Sequence, residues 1–244
     1  MATIHFILQG KGGVGKSMIA AFLYQAAAEL GKSVEAFDTD PVNATLAGYK
    51  SFSVTRIDVL DDSGAVEPRK FDELVDSLAY SQCDHVIVDN GASSFVELGN
   101  YIRSGDILTM LQEGGDDWSG HRILLHTVVT GGQSFHDTIK GLEQLSRTFP
   151  DQSIVLWVNP YFGKPAVDDG TPISEFLSAK YPAIVAVVEL PNPDARTGGI
   201  DLEKLFRTRQ TFAEGYATAN IAAKGRLKRY WDSVRDRIVI GNIL

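Results

Sequence analysis

Residues 9–18 read QGKGGVGKSM: glycines at 10, 12, 13 and 15 leave a loop almost without side chains, yet it carries two ammonium groups, Lys11 and Lys16, and a hydroxyl, Ser17. A bare backbone between a strand and a helix turns its N–H groups and the helix N-terminus toward one point, which makes a site for an anion. Two patterns are satisfied at once. Gly10, Gly12 and Gly15 fit G-x-G-x-x-G, and Asp38 ends the next apolar run where a ribose-binding acid is expected, so a dinucleotide reading competes. Gly10, Gly15, Lys16 and Ser17 fit G-x-x-x-x-G-K-[ST], the phosphate loop of nucleoside triphosphatases. Lys16 and Ser17 favour the second pattern, because a triphosphate requires a cation at its β and γ phosphates and a hydroxyl for Mg²⁺, and a dinucleotide helix requires neither. The backbone of Gly12, Gly13, Val14, Gly15, Lys16, Ser17 and Met18 is then the cradle for the phosphates.

Carboxylates follow at two later places. In FDTDPVNAT, Asp38 and Asp40 are alternate residues, so an extended chain projects both to one side. Either can equally cap the turn or short helix that begins near Asn43. In HVIVDNGASS, an apolar run ends in Asp89; in a phosphate-loop protein an aspartate there holds Mg²⁺ directly or through water. Asn90 and Gly91 supply a flexible turn after it. WVNPYFG and ELPNPDARTGG place Asn159, Pro191 and Asn192 after two late strands, although Asn-Pro is also an ordinary turn dipeptide.

The string GKGGVGKS resembles the deviant Walker A motif of the ParA/MinD superfamily of ATPases, in which the earlier lysine, here Lys11, is the signature residue. With DTDP and VIVD in the same order, the resemblance covers nearly the whole chain; QGKGGVGKS followed by DTDPVNATLAGYK is most similar to plasmid conjugal-transfer TraL and StbB-type ATPases. It implies a Mg²⁺-dependent protein that binds ATP and ADP and hydrolyses ATP slowly. Lys11 would reach the phosphates held by a facing subunit, so an ATP-dependent homodimer is implied. Carried over by position, Ser17, Asp38 and Asp89 belong to the metal, Lys11, Lys16 and Asp40 to catalysis, with Asp40 orienting the attacking water. Pro41 rigidifies this first switch, and Asn43 continues it. Asn159 would hydrogen-bond adenine while Pro191 and Asn192 cover the ring. The implied partner is a plasmid transfer or partition protein. Two departures bear on turnover: the family commonly carries proline after the second-switch aspartate where this chain has Asn90, Gly91, Ala92 and Ser93, and Val42 stands where many members have glutamine. A nucleotide-stabilised adaptor with negligible turnover therefore remains an alternative.

The elements that must position these residues are legible as apolar runs at 3–8, 33–38, 52–59, 85–89, 122–129, 153–158 and 184–190, several continuously apolar as strands covered on both faces should be. Helical patterns lie between them at 17–30, 68–80, 94–103, 135–149 and 172–181, then over about 201–238, where one or two helices fit. The alternation predicts an α/β fold, a doubly wound, mostly parallel sheet with helices on both faces, and one domain over residues 1–244. Ligands then belong at the carboxyl ends of the strands.

Composition narrows the partners. The formal charge is −8, against a protein that coats nucleic acid over its whole surface. Residues 204–237 nevertheless carry nine Lys or Arg against three Asp or Glu. That segment is either a solvated helix face with Tyr230 and Trp231 packed inward, or, with Arg207 and Arg209, a surface for DNA phosphates without sequence preference. VIGNIL is too short to anchor a helix in a membrane, and MATIHFIL lacks a basic n-region, so a soluble cytoplasmic protein is expected. The single Cys83 excludes an internal disulfide and reads as a packed thiol. The five histidines show no ligand spacing. Ser134, His136 and Asp137 share one stretch and cannot form a serine triad, leaving Ser134 as a cap or first-turn residue. Asp116, Asp117 and Trp118 read as a solvated loop with one anchoring Trp, a partner contact being the other use.

Overall fold

The computed structural model describes residues 1–167 and 170–244. In chain order the elements are β1 (Thr3–Ile7), α1 (Lys16–Glu29), β2 (Val34–Asp38), β3 (Val54–Arg56), α2 (Asp72–Ala79), β4 (His85–Asp89), α3 (Phe95–Ser104), α4 (Ile107–Glu113), a two-residue hairpin β5 (Gly114–Gly115) and β6 (Trp118–Ser119), β7 (Arg122–Thr130), α5 (Phe135–Thr148), β8 (Ile154–Asn159), α6 (Ile173–Lys180), β9 (Ile184–Glu189), α7 (Gly198–Arg207), α8 (Phe212–Thr218) and α9 (Ile221–Ile240). The main sheet has the order β3-β2-β4-β1-β7-β8-β9, and every neighbouring pair in it is parallel.

Alternation along the strands divides the core. Phe6, Val88, Leu125 and Leu156 face a layer built from α2 to α6. Ile7, Ile87, Leu124 and Trp157 face α1 and the C-terminal helices α7 to α9. Helix α1 is buried from Ile19 to Ala27 because it lies between the sheet and those helices. Gln25 fixes α8 to it, accepting the Phe212 N–H at 2.7 Å.

Two expectations are corrected. The run 52–59 pairs only at Val54–Arg56, because β2 offers only Ala36 to Asp38 as partners and Phe52 instead stacks on Tyr24 and Tyr49. The segment at about 201–238 is three helices beginning at Gly198: Arg209 takes φ +51°, Thr211 and Glu214 form a capping box that starts α8, and the Asn220 side chain caps α9. Residues 107–119 form α4 and a short hairpin; Asp116 and Asp117 are exposed at its turn, and Trp118 anchors it, stacking on His121 and packing against the core, as expected of a solvated loop with one anchoring Trp.

Under α1 and α9, three histidines form a row across adjacent strands. Trp157 Nε1 donates to His126 Nδ1 at 2.9 Å, His126 Nε2 meets His5 Nδ1 at 3.0 Å, and His5 Nε2 meets His85 Nδ1 at 3.1 Å. An indole N–H can only donate, so each histidine in turn is neutral with its proton on Nε2. Burial holds all three below the usual histidine range, His126 at about 3.

These depressed values set a pH dependence. Below about pH 6.5 the unfolded histidines take up protons that the folded row does not, so stability present above that pH is lost as pH falls toward 3. Between pH 7 and pH 5 the loss from His126 alone is about 2 kcal/mol. In urea titrations at the two pH values, His126→Gln is expected to narrow the difference by about that amount; an unchanged difference contradicts the neutral row.

Candidate functional site

The carboxyl ends of β1, β2, β4 and β8 open on one side of the sheet. The loop after β1 turns through Gly13 and Gly15, at φ +73° and +109°, conformations that side chains rarely adopt. A Cβ on Gly15 would also meet Met18 at 3.0 Å and Asn159 at 3.2 Å. Helix α1 begins directly after it with Lys16, so the first-turn N–H groups face the cleft. Gln9, fully buried, fastens the loop's entry: its amide donates to Val128 O at 2.9 Å and Thr138 O at 3.1 Å, and its oxygen accepts from Lys11 N at 3.3 Å. The amide fits only because Gly141 on α5 has no side chain. Gln9 carries no motif signal, and its role follows from the packing of α5.

Lys16 is 8% exposed and its ammonium donates to Lys11 O at 3.1 Å. Burial lowers its pKa, and the carboxylates of Asp89 and Asp40 offset part of that effect. Asp89 is 2% exposed, and among the described residues neither of its oxygens has a hydrogen-bond partner. Burial first, then Asp38 and Asp40, push it up to about 7; Ser17 and Lys16 pull it back, the Ser17 hydroxyl without closing to hydrogen-bond distance of either oxygen. A buried carboxylate without a donor fits a cation. Mg²⁺ is commonly bound through one or two carboxylates plus phosphate oxygens, and Asp89 with the Ser17 hydroxyl offers that donor set.

Asp38 and Asp40 both cap the turn that follows them. Asp38 Oδ1 accepts from Asp40 N at 3.1 Å and Oδ2 from Ala47 N at 3.0 Å, while burial raises its pKa. Asp40 Oδ1 accepts from Val42 N at 2.9 Å and Asn43 N at 3.0 Å. Asp40 still borders a cleft of about 520 Å³ together with Gly12, Lys16, Ser17, Ala92 and Ser93.

A second groove of about 420 Å³ shares Gly13, Gly15 and Met18 with that cleft and is lined by Asn159, Pro191 and Asn192, so the residues expected around a base do meet. Asn159 is held in place, its Nδ2 donating to Val14 O at 3.0 Å and its Oδ1 accepting from Tyr161 N at 3.1 Å. Phe162, Phe206 and Tyr230 add aromatic surface; they arrive from a loop, α7 and α9, which no local pattern marked as lining a site.

Lys11 stands apart. Its ammonium pairs with Asp137 on α5 at 2.8 Å, with both side chains well exposed. Of the basic C-terminal residues, Arg226, Lys228 and Arg235 are ion-paired within the chain, Arg207 lines the groove beside Asn159, and Trp231 is buried with its indole donating to Glu29 at 2.7 Å. Cys83 is a half-buried thiol. Ser134 directly precedes α5 without making a side-chain cap.

Comparison with known proteins agrees with this geometry. The CobQ/CobB/MinD/ParA nucleotide binding domain matches residues 5–228. Two Escherichia coli proteins named Protein TraL are 42% and 40% identical over 233 residues, covering 93% of this chain and 93% of each of theirs. The fold is shared with MinD in the Aquifex aeolicus MinC:MinD complex, at 17% identity and a TM-score of 0.55 over 98% of this chain and 96% of that one. It is likewise shared with the Pyrococcus horikoshii septum site-determining protein MinD complexed with Mg-ADP, with the same identity, TM-score and coverage.

Asp89→Asn tests the unpartnered carboxylate. Without added ligand the variant is expected to be more stable than the parent at pH 8 by about 1–3 kcal/mol, since a charge with no donor is removed. It is also expected to lose any Mg²⁺-dependent gain in melting temperature on adding nucleotide. Thermal unfolding with and without Mg²⁺ and ATP reads both effects.

Proposed function

The chain belongs to the CobQ/CobB/MinD/ParA nucleotide-binding family, and from that premise we propose that it is an ATP-binding, slowly hydrolysing switch ATPase that works as a homodimer in plasmid conjugative transfer or maintenance. The observation that carries this reading is the buried, unpartnered carboxylate of Asp89 beside Lys16 and Ser17 at the head of α1. The likeness to the TraL proteins supports the plasmid setting.

The loop amides and Lys16 bind the β and γ phosphates, and Asn159, Pro191 and Asn192 hold the base in the adjoining groove. Ser17 and Asp89 would hold Mg²⁺, which supplies charge neutralisation at the phosphates when bound. Asp38 shapes the first-switch turn behind them. Asp40 orients water for attack at the γ-phosphate through the oxygen that does not cap the turn. Lys11 serves the twin subunit's phosphates after leaving Asp137; an exposed ion pair is weak enough to be exchanged. The chain acts as one domain in the cytoplasm, and among its described residues no helix is long and apolar enough to cross a membrane. Its partners are a second copy and a plasmid transfer or partition protein. The basic residues of α9 that are not ion-paired could add sequence-independent DNA contacts.

A second reading, a nucleotide-stabilised adaptor with negligible turnover, is favoured by the engagement of Asp40 Oδ1 with Val42 and Asn43.

Binding of ATP and of NAD, each with and without Mg²⁺, together with the monomer–dimer balance by light scattering, tests the proposal. ATP is expected to bind with Mg²⁺ and to shift the balance to dimer, and Lys16→Ala to abolish binding. Lys11→Ala is expected to keep binding but lose the dimer, and Asp40→Ala to accumulate it. A parent protein already behaving like Asp40→Ala identifies the adaptor; metal-independent NAD binding overturns both readings.

A further inference from the structure

Asn90 lies in the second switch and does not border the phosphate cleft, yet it is 1% exposed and both ends of its amide are hydrogen-bonded. Its Oδ1 accepts from two hydroxyls, Thr39 Oγ1 at 3.0 Å and Ser94 Oγ at 2.9 Å, and its Nδ2 donates to Gly91 O at 2.9 Å. The Gly91 carbonyl can only accept, which fixes the amide's orientation and leaves the oxygen facing the hydroxyls. Thr39 and Ser94 are themselves fully buried. Thr39 immediately precedes Asp40, and its N–H also donates to Asp89 O at 2.9 Å.

A steric contact parallels this triangle. A Cβ on Gly91 would meet Asp40 Cγ at 2.8 Å, Oδ1 at 2.9 Å and Cα at 3.0 Å, so the two turns touch backbone to backbone. Asp40, Val42 and Asn43 from the one turn and Ala92 and Ser93 from the other all line the cleft.

We infer that Asn90 is a positioning residue that ties the two switch turns into one mechanical unit, so that the turn carrying Asp40 and the turn carrying Ser93 shift together. A satisfied polar network in a dry site holds geometry tightly, because opening it leaves several groups unpaired at once. Asp40 then takes its position from the second switch as well as from its own loop. The consequence for turnover rests on the ATPase reading above; the tie itself is a property of the ligand-free chain.

The test uses the full-length protein and Thr39→Val, which keeps the shape and removes the hydroxyl, with Thr39→Ser restoring it. In the ligand-free state, hydrogen exchange of residues 90–95, on the opposite turn, is expected to speed up about tenfold in Thr39→Val and to stay within about twofold of the parent in Thr39→Ser. Ser94→Ala reads the tie from the other end, through the amides of Asp40, Val42 and Asn43. Faster exchange confined to the mutated turn overturns the inference. With Mg²⁺ and ATP, Thr39→Val is expected to lower kcat about fivefold or more while nucleotide affinity stays within about twofold, again rescued by serine. Equal losses in both, or no rescue, overturn it. Should the parent bind no ATP, the functional reading fails while the exchange measurement still decides the tie.

Discussion

A buried carboxylate with no protein donor is the constraint around which this molecule is arranged. Asp89 sits at the end of an apolar strand, shielded from water; among the described residues neither of its oxygens has a hydrogen-bond partner, and the Lys16 ammonium and Ser17 hydroxyl are what favour its charge. Such a group costs stability unless a cation or proton comes to it. The parallel sheet makes the arrangement possible. Because β1, β2 and β4 are adjacent and in register, Ile7 and Asp38 both lie level with Asp89, and the loop leaving β1 starts beside two acidic strand ends.

That register explains why residues scattered over more than 150 positions meet. Each strand delivers one chemical group at its carboxyl end: the glycine loop from β1, Asp38 from β2, Asp89 from β4 and Asn159 from β8. The helices contribute by presence rather than by chemistry. α5 receives Gln9 in the gap at Gly141, α7 and α9 wall the groove beside Asn159, and the Ser94 that bonds Asn90 directly precedes α3.

How much of this could be read from the residues depends on the range of the interaction. The glycine loop, the strand-end aspartates and the parallel, doubly wound fold class were legible because they are set by contiguous residues and period. Asn159, Pro191 and Asn192 were reachable only through resemblance, and they do share a groove. The dual role of Asp38 and Asp40 as caps stayed open, since an Asp near a turn has the same spacing whether it caps or catalyses. The histidine row was invisible: His5, His85 and His126 have no sequence spacing in common and are joined only by diagonal placement on β1, β4 and β7. Asn90 was legible as a departure from the family pattern, but its partners Thr39 and Ser94 were not, because only the folded turns bring them within bonding distance. The division of the C-terminal segment was written locally, in T-x-x-E at 211–214 and Asn220.

Helix α1 joins the two ends of the molecule. Its first residue is Lys16 and its last is Glu29, whose carboxylate receives the Trp231 indole and lies 3.6 Å from Arg235, both on α9. Fourteen residues make a rod of about 21 Å. Packed between the sheet and the C-terminal helices, that one continuous helix carries the residue that follows the glycine loop at its head and the carboxylate that meets α9 at its foot.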